Sequence, residues 1–145
     1  MHKILLVSFL EVNLDNLANN VKNILMTYEN YDYYFGVVKG NGYGHGEYIV
    51  NTLVENGVNY IAVSSLEEAI NIRKYNNDIP ILCLEPIDLE FIDDVIKYNV
   101  TLTIHDLEYF VDLNVMELDS IVKIHLKIDS GMHRLGITKK EDVLN

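Results

Sequence analysis

Cysteine and basic side chains are both scarce in this chain of 145 residues. The single cysteine, Cys83, stands in an apolar run, so no disulfide can form within the chain, and such a thiol is typical of an inert core residue in a cytosolic protein. Lysine and arginine number 11 against 22 aspartates and glutamates, which gives a formal net charge of −11. Because nucleic-acid phosphates are repelled by an acidic surface, this balance argues against non-specific nucleic-acid binding. A basic pocket for a small anionic ligand remains compatible with it.

Long apolar runs are absent as well. Residues 1–10 combine a basic start with a short apolar run that stops at Glu11 without a small-residue cleavage site behind it, unlike a signal peptide. The run is also too short to span a bilayer. We therefore predict an extended strand at residues 4–12 and no membrane association. The sequence shows neither the ligand spacing of a metal site nor a serine in a nucleophile elbow.

What the chain does contain is a regular alternation of apolar strands and helices. We predict strands at residues 33–38, 60–64, 80–84, 100–104 and 121–128. The predicted helices start at Asn13 or Asp15, near Ile49, at Ser65 (in a capping box with Glu68), at Asp88 and at Asp106.

Units of about 20 to 25 residues that alternate in this way favour an α/β protein with parallel strands. We predict a (β/α)8 TIM-type barrel of which residues 1–145 form the amino-terminal part, with about five βα units. Eight units typically need about 250 residues, so the remaining barrel would lie outside this chain.

The last predicted strand alternates apolar and basic residues. Lys123, His125 and Lys127 share one face of it, opposite a set of aliphatic residues. In a barrel we expect helices to cover the aliphatic face and the basic face to point inward. Barrels of this type carry their chemistry at the carboxyl ends of their strands, where Lys39 and Lys127 are both expected.

The stretch from Phe35 to Gly46 concentrates the most informative residues. It reads Phe-Gly-Val-Val-Lys-Gly-Asn-Gly-Tyr-Gly-His-Gly, an apolar strand that leads to Lys39 and then to glycines at alternate positions. A lysine at the end of a buried strand can lose its proton and act as a nucleophilic amine. The alternative is a solvated lysine before a flexible loop. We interpret His45 as structural.

Residues 37–46 resemble the cofactor-lysine signature of the alanine racemases, which depend on pyridoxal 5'-phosphate. That signature usually has alanine where this chain has Gly40 and Gly42, a difference that we expect to loosen the loop. Residues 127–136, Lys-Ile-Asp-Ser-Gly-Met-His-Arg-Leu-Gly, resemble a second signature of the same family. The resemblance covers nearly the whole chain.

The resemblance implies a role for four residues. Lys39 would form a Schiff base with pyridoxal phosphate and move a proton on one face of the substrate Cα. Tyr43 would contact the cofactor phosphate, and Arg134 would bind near the cofactor's phenolic oxygen and the substrate carboxylate. Lys127 matches a position that is often a carbamylated lysine. An unmodified Lys127 would repel Arg134 at close range, so Asp129 is the alternative source of negative charge.

For the whole protein, the resemblance implies a cytoplasmic homodimer that interconverts L-alanine and D-alanine and supplies D-alanine for peptidoglycan. A carboxyl-terminal β domain would be missing here, and with it the tyrosine that serves as the opposite base, so we expect this chain to be inactive by itself. Serine or broad-specificity racemases and other pyridoxal-phosphate barrels such as decarboxylases are the alternatives. A non-catalytic cofactor-binding barrel and a cofactor-free lysine aldolase also remain.

Overall fold

A parallel sheet of five strands forms the centre of the protein in the computed structural model, which describes residues 9–144. The strands follow one another in the same order along the chain and across the sheet: β1 (Phe35–Val37), β2 (Tyr60–Val63), β3 (Ile81–Cys83), β4 (Val100–Ile104) and β5 (Ile124–Leu126). All four neighbouring pairs are parallel. Consecutive parallel strands joined by helices are the arrangement of a (β/α)8 barrel, and the predicted fold class is confirmed as part of one.

The helices are α1 (Leu14–Thr27), α2 (Lys39–Tyr43), α3 (Ile49–Glu55), α4 (Leu66–Ile72), α5 (Ile92–Lys97), α6 (Leu107–Asn114) and α7 (Lys140–Leu144), and a 3-10 turn at Leu89–Phe91 precedes α5. Several start where the sequence predicts. The side chains of Asn13, Ser65 and Asp106 each accept a hydrogen bond from a backbone N–H of the first helical turn, which satisfies donors that have no partner within the helix.

The hydrophobic core lies between the sheet and these helices. Alternate strand residues supply it, including Ile61 and Val63 of β2, Ile81 and Cys83 of β3, and Leu102 of β4. Cys83 is fully buried, and this burial raises the pKa of its thiol to about 11, in agreement with the predicted inert core cysteine. The residues between them face the opposite side, which is the concave interior of the partial barrel.

Two predicted strands differ markedly from the structure, whereas the others agree to within about two residues at each end. The prediction of 121–128 is too long, because β5 pairs with β4 only over residues 124–126, and Ile121 is 94% exposed. The prediction of a strand at residues 4–12 falls partly outside the described residues. Residues 9–12 form no strand, since no described strand pairs with them. No helix within residues 9–144 is long and apolar enough to cross a membrane.

Candidate active site at the carboxyl edge of the sheet

Lys39 lies two residues beyond β1, at the carboxyl edge of the sheet, and its side chain is half-buried. The residues that follow it turn with the opposite hand to an ordinary helix. Gly40, Asn41 and Gly42 have φ values of 61°, 53° and 62°, and Tyr43 continues at 54°. We call residues 39–43, which form α2, the Lys39 turn.

Left-handed conformation costs about 1–2 kcal/mol for each residue that carries a Cβ, and glycine escapes this cost. Gly40 and Gly42 therefore suit the Lys39 turn. The turn is closed by its own hydrogen bonds: the Gly42 N–H donates to the Val38 carbonyl at 2.7 Å and the Gly44 N–H to the Gly40 carbonyl at 3.0 Å. The glycines thus fit a closed, hydrogen-bonded turn. That they loosen the loop relative to alanine stays a prediction.

Tyr43 carries the bulkiest side chain among the left-handed residues of this turn. A bulky side chain in the left-handed region is a genuine outlier, and such strained residues cluster at functional sites. Tyr43 is 62% exposed, so packing does not account for the strain. The side chain of His45 contacts the turn itself, since its Nδ1 lies 2.8 Å from the Gly42 carbonyl oxygen. This contact supports the structural interpretation of His45.

Glu68 joins the Lys39 turn to the next strand. One carboxylate oxygen accepts from the Gly40 N–H at 2.6 Å, and the other accepts from the Ser64 N–H at 2.8 Å and the Ser64 hydroxyl at 2.9 Å. The sequence predicts Glu68 only as half of a capping box, and the Glu68 N–H does donate to the Ser65 hydroxyl oxygen at 3.2 Å. The capping-box pattern does not predict the hydrogen bond between Glu68 and Gly40.

The interior of the partial barrel contains an aromatic cluster. Tyr60 stacks on Phe35 with ring centroids 4.5 Å apart and lies 5.6 Å from the ring of His125. Its hydroxyl group lies 2.7 Å from Oγ1 of Thr101. His125 pairs with Thr103 in the sheet, and its aromatic contacts confirm that the basic face of β5 points inward, as predicted.

Residues 127–136, the second sequence block, form a closed loop after β5. The Ile137 N–H donates to the Lys127 carbonyl at 2.8 Å, and the Asp129 N–H donates to the Ile137 carbonyl at 3.0 Å. Within the loop, the Asp129 carboxylate accepts from the N–H groups of residues 131, 132 and 133. These hydrogen bonds, that of the Gly131 N–H first among them, lower the pKa of Asp129 below its usual value.

Asp129 is therefore engaged with its own loop. The ring of His133 lies beside this carboxylate, with Nδ1 3.5 Å from one of its oxygens. Asp129 forms no ion pair with Lys127 or Arg134, so the alternative in which it supplies their negative charge is wrong for this structure. Lys127 is half-buried, whereas Arg134 is exposed. Neither forms an ion pair with another residue of the described chain.

The predicted site residues thus fall into two groups at one edge of the sheet. Lys39 and Tyr43 share the turn after β1, while Lys127 and Arg134 share the loop after β5. Lys39, Lys127 and Arg134 have no carboxylate partner among residues 9–144, although the chain is strongly acidic. Unpaired cations, one of them an amine beside a strained turn, fit an anionic cofactor that binds through an amine. The described residues contain no group that could hold a metal ion.

Comparison with known proteins decides the family. The sequence profile described as "Alanine racemase, N-terminal domain" matches residues 12–145. The chain belongs to this family. It is 40% identical over 131 residues to alanine racemase 2 of Caldanaerobacter subterraneus subsp. tengcongensis, a match that covers 88% of this chain and 34% of the relative.

Two further proteins are similar to the chain. An amino-acid racemase of Enterococcus faecalis is 38% identical over 135 residues, which cover 92% of this chain and 19% of that protein. The crystal structure of alanine racemase from E. faecalis superposes with a TM-score of 0.85 at 29% identity, over 91% of this chain and 37% of the other. The chain therefore spans between 19% and 37% of the length of these relatives.

Proposed function

We propose that this chain supplies the cofactor-binding part of a pyridoxal-phosphate-dependent alanine racemase. The observation that carries the proposal is Lys39, a half-buried amine at the carboxyl edge of the sheet that is followed directly by a strained turn. In barrels of this class the chemistry belongs to that edge. Membership of the alanine racemase family supports the same reading.

In this proposal each site residue has one task. Lys39 would hold the cofactor through its amine. Once released, this amine would remove the α-proton from one enantiomer, or deliver a proton to the same face in the reverse direction. The Tyr43 hydroxyl binds the phosphate, and the Arg134 guanidinium binds carboxylate as a bidentate, permanently charged donor. A carbamate on Lys127 would supply the negative charge that holds Arg134. When bound, pyridoxal phosphate supplies a ring that stabilises negative charge at Cα.

One amine serves only one face of Cα, and racemisation needs proton transfer on both. The second base in our proposal lies outside residues 1–145, on a partner subunit of a cytoplasmic homodimer. The sheet supports the need for more protein. Its outer strands keep large apolar side chains exposed, among them Phe35 at 40% and Leu126 at 46%, which further barrel strands would cover. The product, D-alanine, would serve peptidoglycan synthesis.

A chimera tests this function. Residues 12–145 replace the corresponding part of alanine racemase 2 of Caldanaerobacter, and conversion of L-alanine to D-alanine is measured with and without pyridoxal phosphate. We expect cofactor-dependent turnover by the chimera and none by the 145-residue chain alone. Lys39→Ala should abolish turnover, and Lys39→Arg should do nearly the same because a guanidinium does not give up its proton near neutral pH.

The matched control is Lys97→Ala, since the Lys97 side chain is 66% exposed at the far end of α5. It should leave turnover unchanged. A chimera with Lys39→Ala that still racemises alanine would exclude the proposed role of this lysine. Turnover by the isolated chain would show that a second base lies within it.

A broad amino-acid racemase is the second candidate. It is favoured by the similarity to the E. faecalis protein that carries the name amino-acid racemase. The chimera inherits much of its pocket from the other parent, so a substrate panel on it does not separate the two. Serine and alanine turnover by the complete protein of which this chain is a part would do so.

A further inference from the structure

We infer that Glu68 is a positioning residue that fixes the Lys39 turn against the end of β2. A role of Glu68 in catalysis rests on the function proposed above. The hydrogen bonds that Glu68 forms with Gly40 and Ser64 are independent of that function. Glu68 lies outside both signatures, at residues 37–46 and 127–136, and touches no reacting group. It binds backbone N–H groups that follow β1 and β2, those of Gly40 and Ser64.

The two oxygens of Glu68 bind different strand ends. The Gly40 N–H belongs to the peptide bond directly after Lys39, and it donates to one oxygen at 2.6 Å. The other oxygen accepts two hydrogen bonds from Ser64, the residue directly after β2. A single rigid carboxylate therefore sets the distance between the two strand ends. Since 28 residues separate Gly40 from Glu68, the link does not arise from local structure.

The carboxylate is ionised when it makes this link. Burial raises the pKa of Glu68, but the hydrogen bonds from Ser64 and Gly40 act in the opposite direction, and the pKa lies below its usual value. An ionised carboxylate only accepts hydrogen bonds, and its bonds are stronger than those between neutral groups. The first turn of α4, where Glu68 lies, favours the same charge.

The link has a clear task beside a left-handed turn. Residues 40–43 adopt a conformation that most residues avoid, and it persists only where the surroundings hold it. Gly40 has no Cβ by which packing can hold it, and its neighbourhood is open. Its peptide groups hold it instead. The Gly40 carbonyl accepts from the Gly44 N–H within the same loop, and the Gly40 N–H donates to Glu68, which joins the turn to a distant part of the chain. Functional amines must be fixed to within about 0.5 Å of their productive geometry.

Glu68→Gln tests the link with minimal change in shape. The glutamine oxygen can replace one carboxylate oxygen, but its amide nitrogen only donates and would face either the Gly40 or the Ser64 N–H. Glu67→Gln is the matched control. Glu67 is the preceding residue, is exposed, lies in the same first turn of α4 and carries the same charge.

The first measurement is hydrogen–deuterium exchange of the 145-residue chain, read by mass spectrometry on peptides that contain Gly40 and Ser64. We expect Glu68→Gln to speed exchange at one or both amides by roughly ten- to a hundredfold, the effect of losing a hydrogen bond to a charged group. Glu67→Gln should leave both unchanged. Equal exchange in wild type and Glu68→Gln would overturn the inference.

The second measurement asks whether the link positions Lys39. Each variant is treated briefly with an amine-acylating reagent, and labelling of Lys39 is compared with labelling of the exposed Lys97 in the same molecule. A released turn frees the half-buried amine, so we expect the Lys39 to Lys97 labelling ratio to rise severalfold in Glu68→Gln and to stay constant in Glu67→Gln. Faster exchange at Gly40 with an unchanged ratio would mean that Glu68 only stabilises the fold, which overturns the positioning role.

Neither measurement uses the cofactor. If the chain showed no affinity for pyridoxal phosphate, the proposed function would fall while the exchange and labelling results still decided the role of Glu68. Conversely, cofactor capture that is equal in wild type and Glu68→Gln would leave the function intact and overturn the positioning role. For a positioned amine we expect capture in Glu68→Gln to be slower by about tenfold, within the range that misplacement of a catalytic group produces.

Discussion

Phe35 of the first strand and His125 of the fifth lie with their ring centroids 6.1 Å apart. Three strands separate them in the sheet. Neighbouring strands are spaced by about 4.8 Å, so four such intervals in a flat sheet would hold the two rings about 19 Å apart. The sheet is therefore strongly curved, and its inner face brings the first and the fifth strand together. Lys39 and Lys127 follow those two strands at the carboxyl edge of this curved sheet.

The hydrogen bond between Tyr60 and Thr101 should contribute measurably to this curved sheet. Both residues are buried, and their oxygens lie 2.7 Å apart. Tyr60→Phe leaves the threonine hydroxyl without this partner, and we expect the free energy of unfolding to fall by about 1–3 kcal/mol. Urea denaturation measures it. Tyr75→Phe is the control, because Tyr75 is 44% exposed, and a comparable loss there would contradict the assignment.

Arg73 ties together loops at the opposite, amino edge of the sheet. Its guanidinium donates to four backbone carbonyls, those of Tyr98 at 2.8 Å, Ile79 at 2.7 Å, Asn99 at 3.0 Å and Asn76 at 3.3 Å. A lysine ammonium cannot reproduce this planar set of donors. We expect Arg73→Lys to lower the melting temperature and to destabilise the chain by roughly 2 kcal/mol. The exposed neighbour Lys74 supplies the control: Lys74→Arg should be close to neutral.

The two glycines of the Lys39 turn should differ in their response to alanine. A Cβ on Gly40 meets no atom within 4 Å, whereas one on Gly42 lies 3.1 Å from Cδ1 of Ile49. Both variants bear the left-handed strain of about 1–2 kcal/mol, partly offset by about 0.4–1 kcal/mol from a less flexible unfolded chain. We expect Gly42→Ala to destabilise more than Gly40→Ala in chemical denaturation. The reverse order would show that the turn is not built as described.

Acid should weaken the fold through Glu68 and Asp129. The pKa of each lies below its ordinary value in the folded chain, so each stabilises the fold fully above the unfolded-state pKa, which is about 4. The contribution is lost as the pH falls through the lower, folded-state pKa. We expect the free energy of unfolding to drop as the pH is lowered below about 4.5, with a smaller drop in Glu68→Gln. An identical pH profile for that variant would contradict the assignment for Glu68.

The parts of this structure that follow from local pattern were predictable, and the parts that follow from distant contacts were not. Short stretches of sequence predict the apolar strands, the helix caps at Asn13 and Ser65 and the inward basic face of β5. The left-handed conformation of the Lys39 turn does not follow from the local sequence, because glycine permits several conformations there. The hydrogen bond from Gly40 to Glu68 spans 28 residues, and no spacing rule predicts a contact of that kind.

The second sequence block shows the same limit. Its residue types indicate the family signature. The hydrogen-bond partners of Asp129, however, depend on how residues 131–133 fold back toward its carboxylate. The carboxylate binds the backbone of residues 131–133 and the ring of His133, whereas charge alone suggested Lys127 or Arg134. Carbamylation of Lys127 stays a prediction, which density for extra atoms on its amine would test.

The most direct test of the account is capture of pyridoxal phosphate by Lys39. The 145-residue chain is incubated with the cofactor and reduced with borohydride, and the modified lysine is identified by peptide mass spectrometry. The account predicts one dominant pyridoxyl adduct on Lys39, absent in Lys39→Ala and unaffected in Lys97→Ala. Labelling spread over the exposed lysines, with Lys39 modified no more than Lys97, would contradict it.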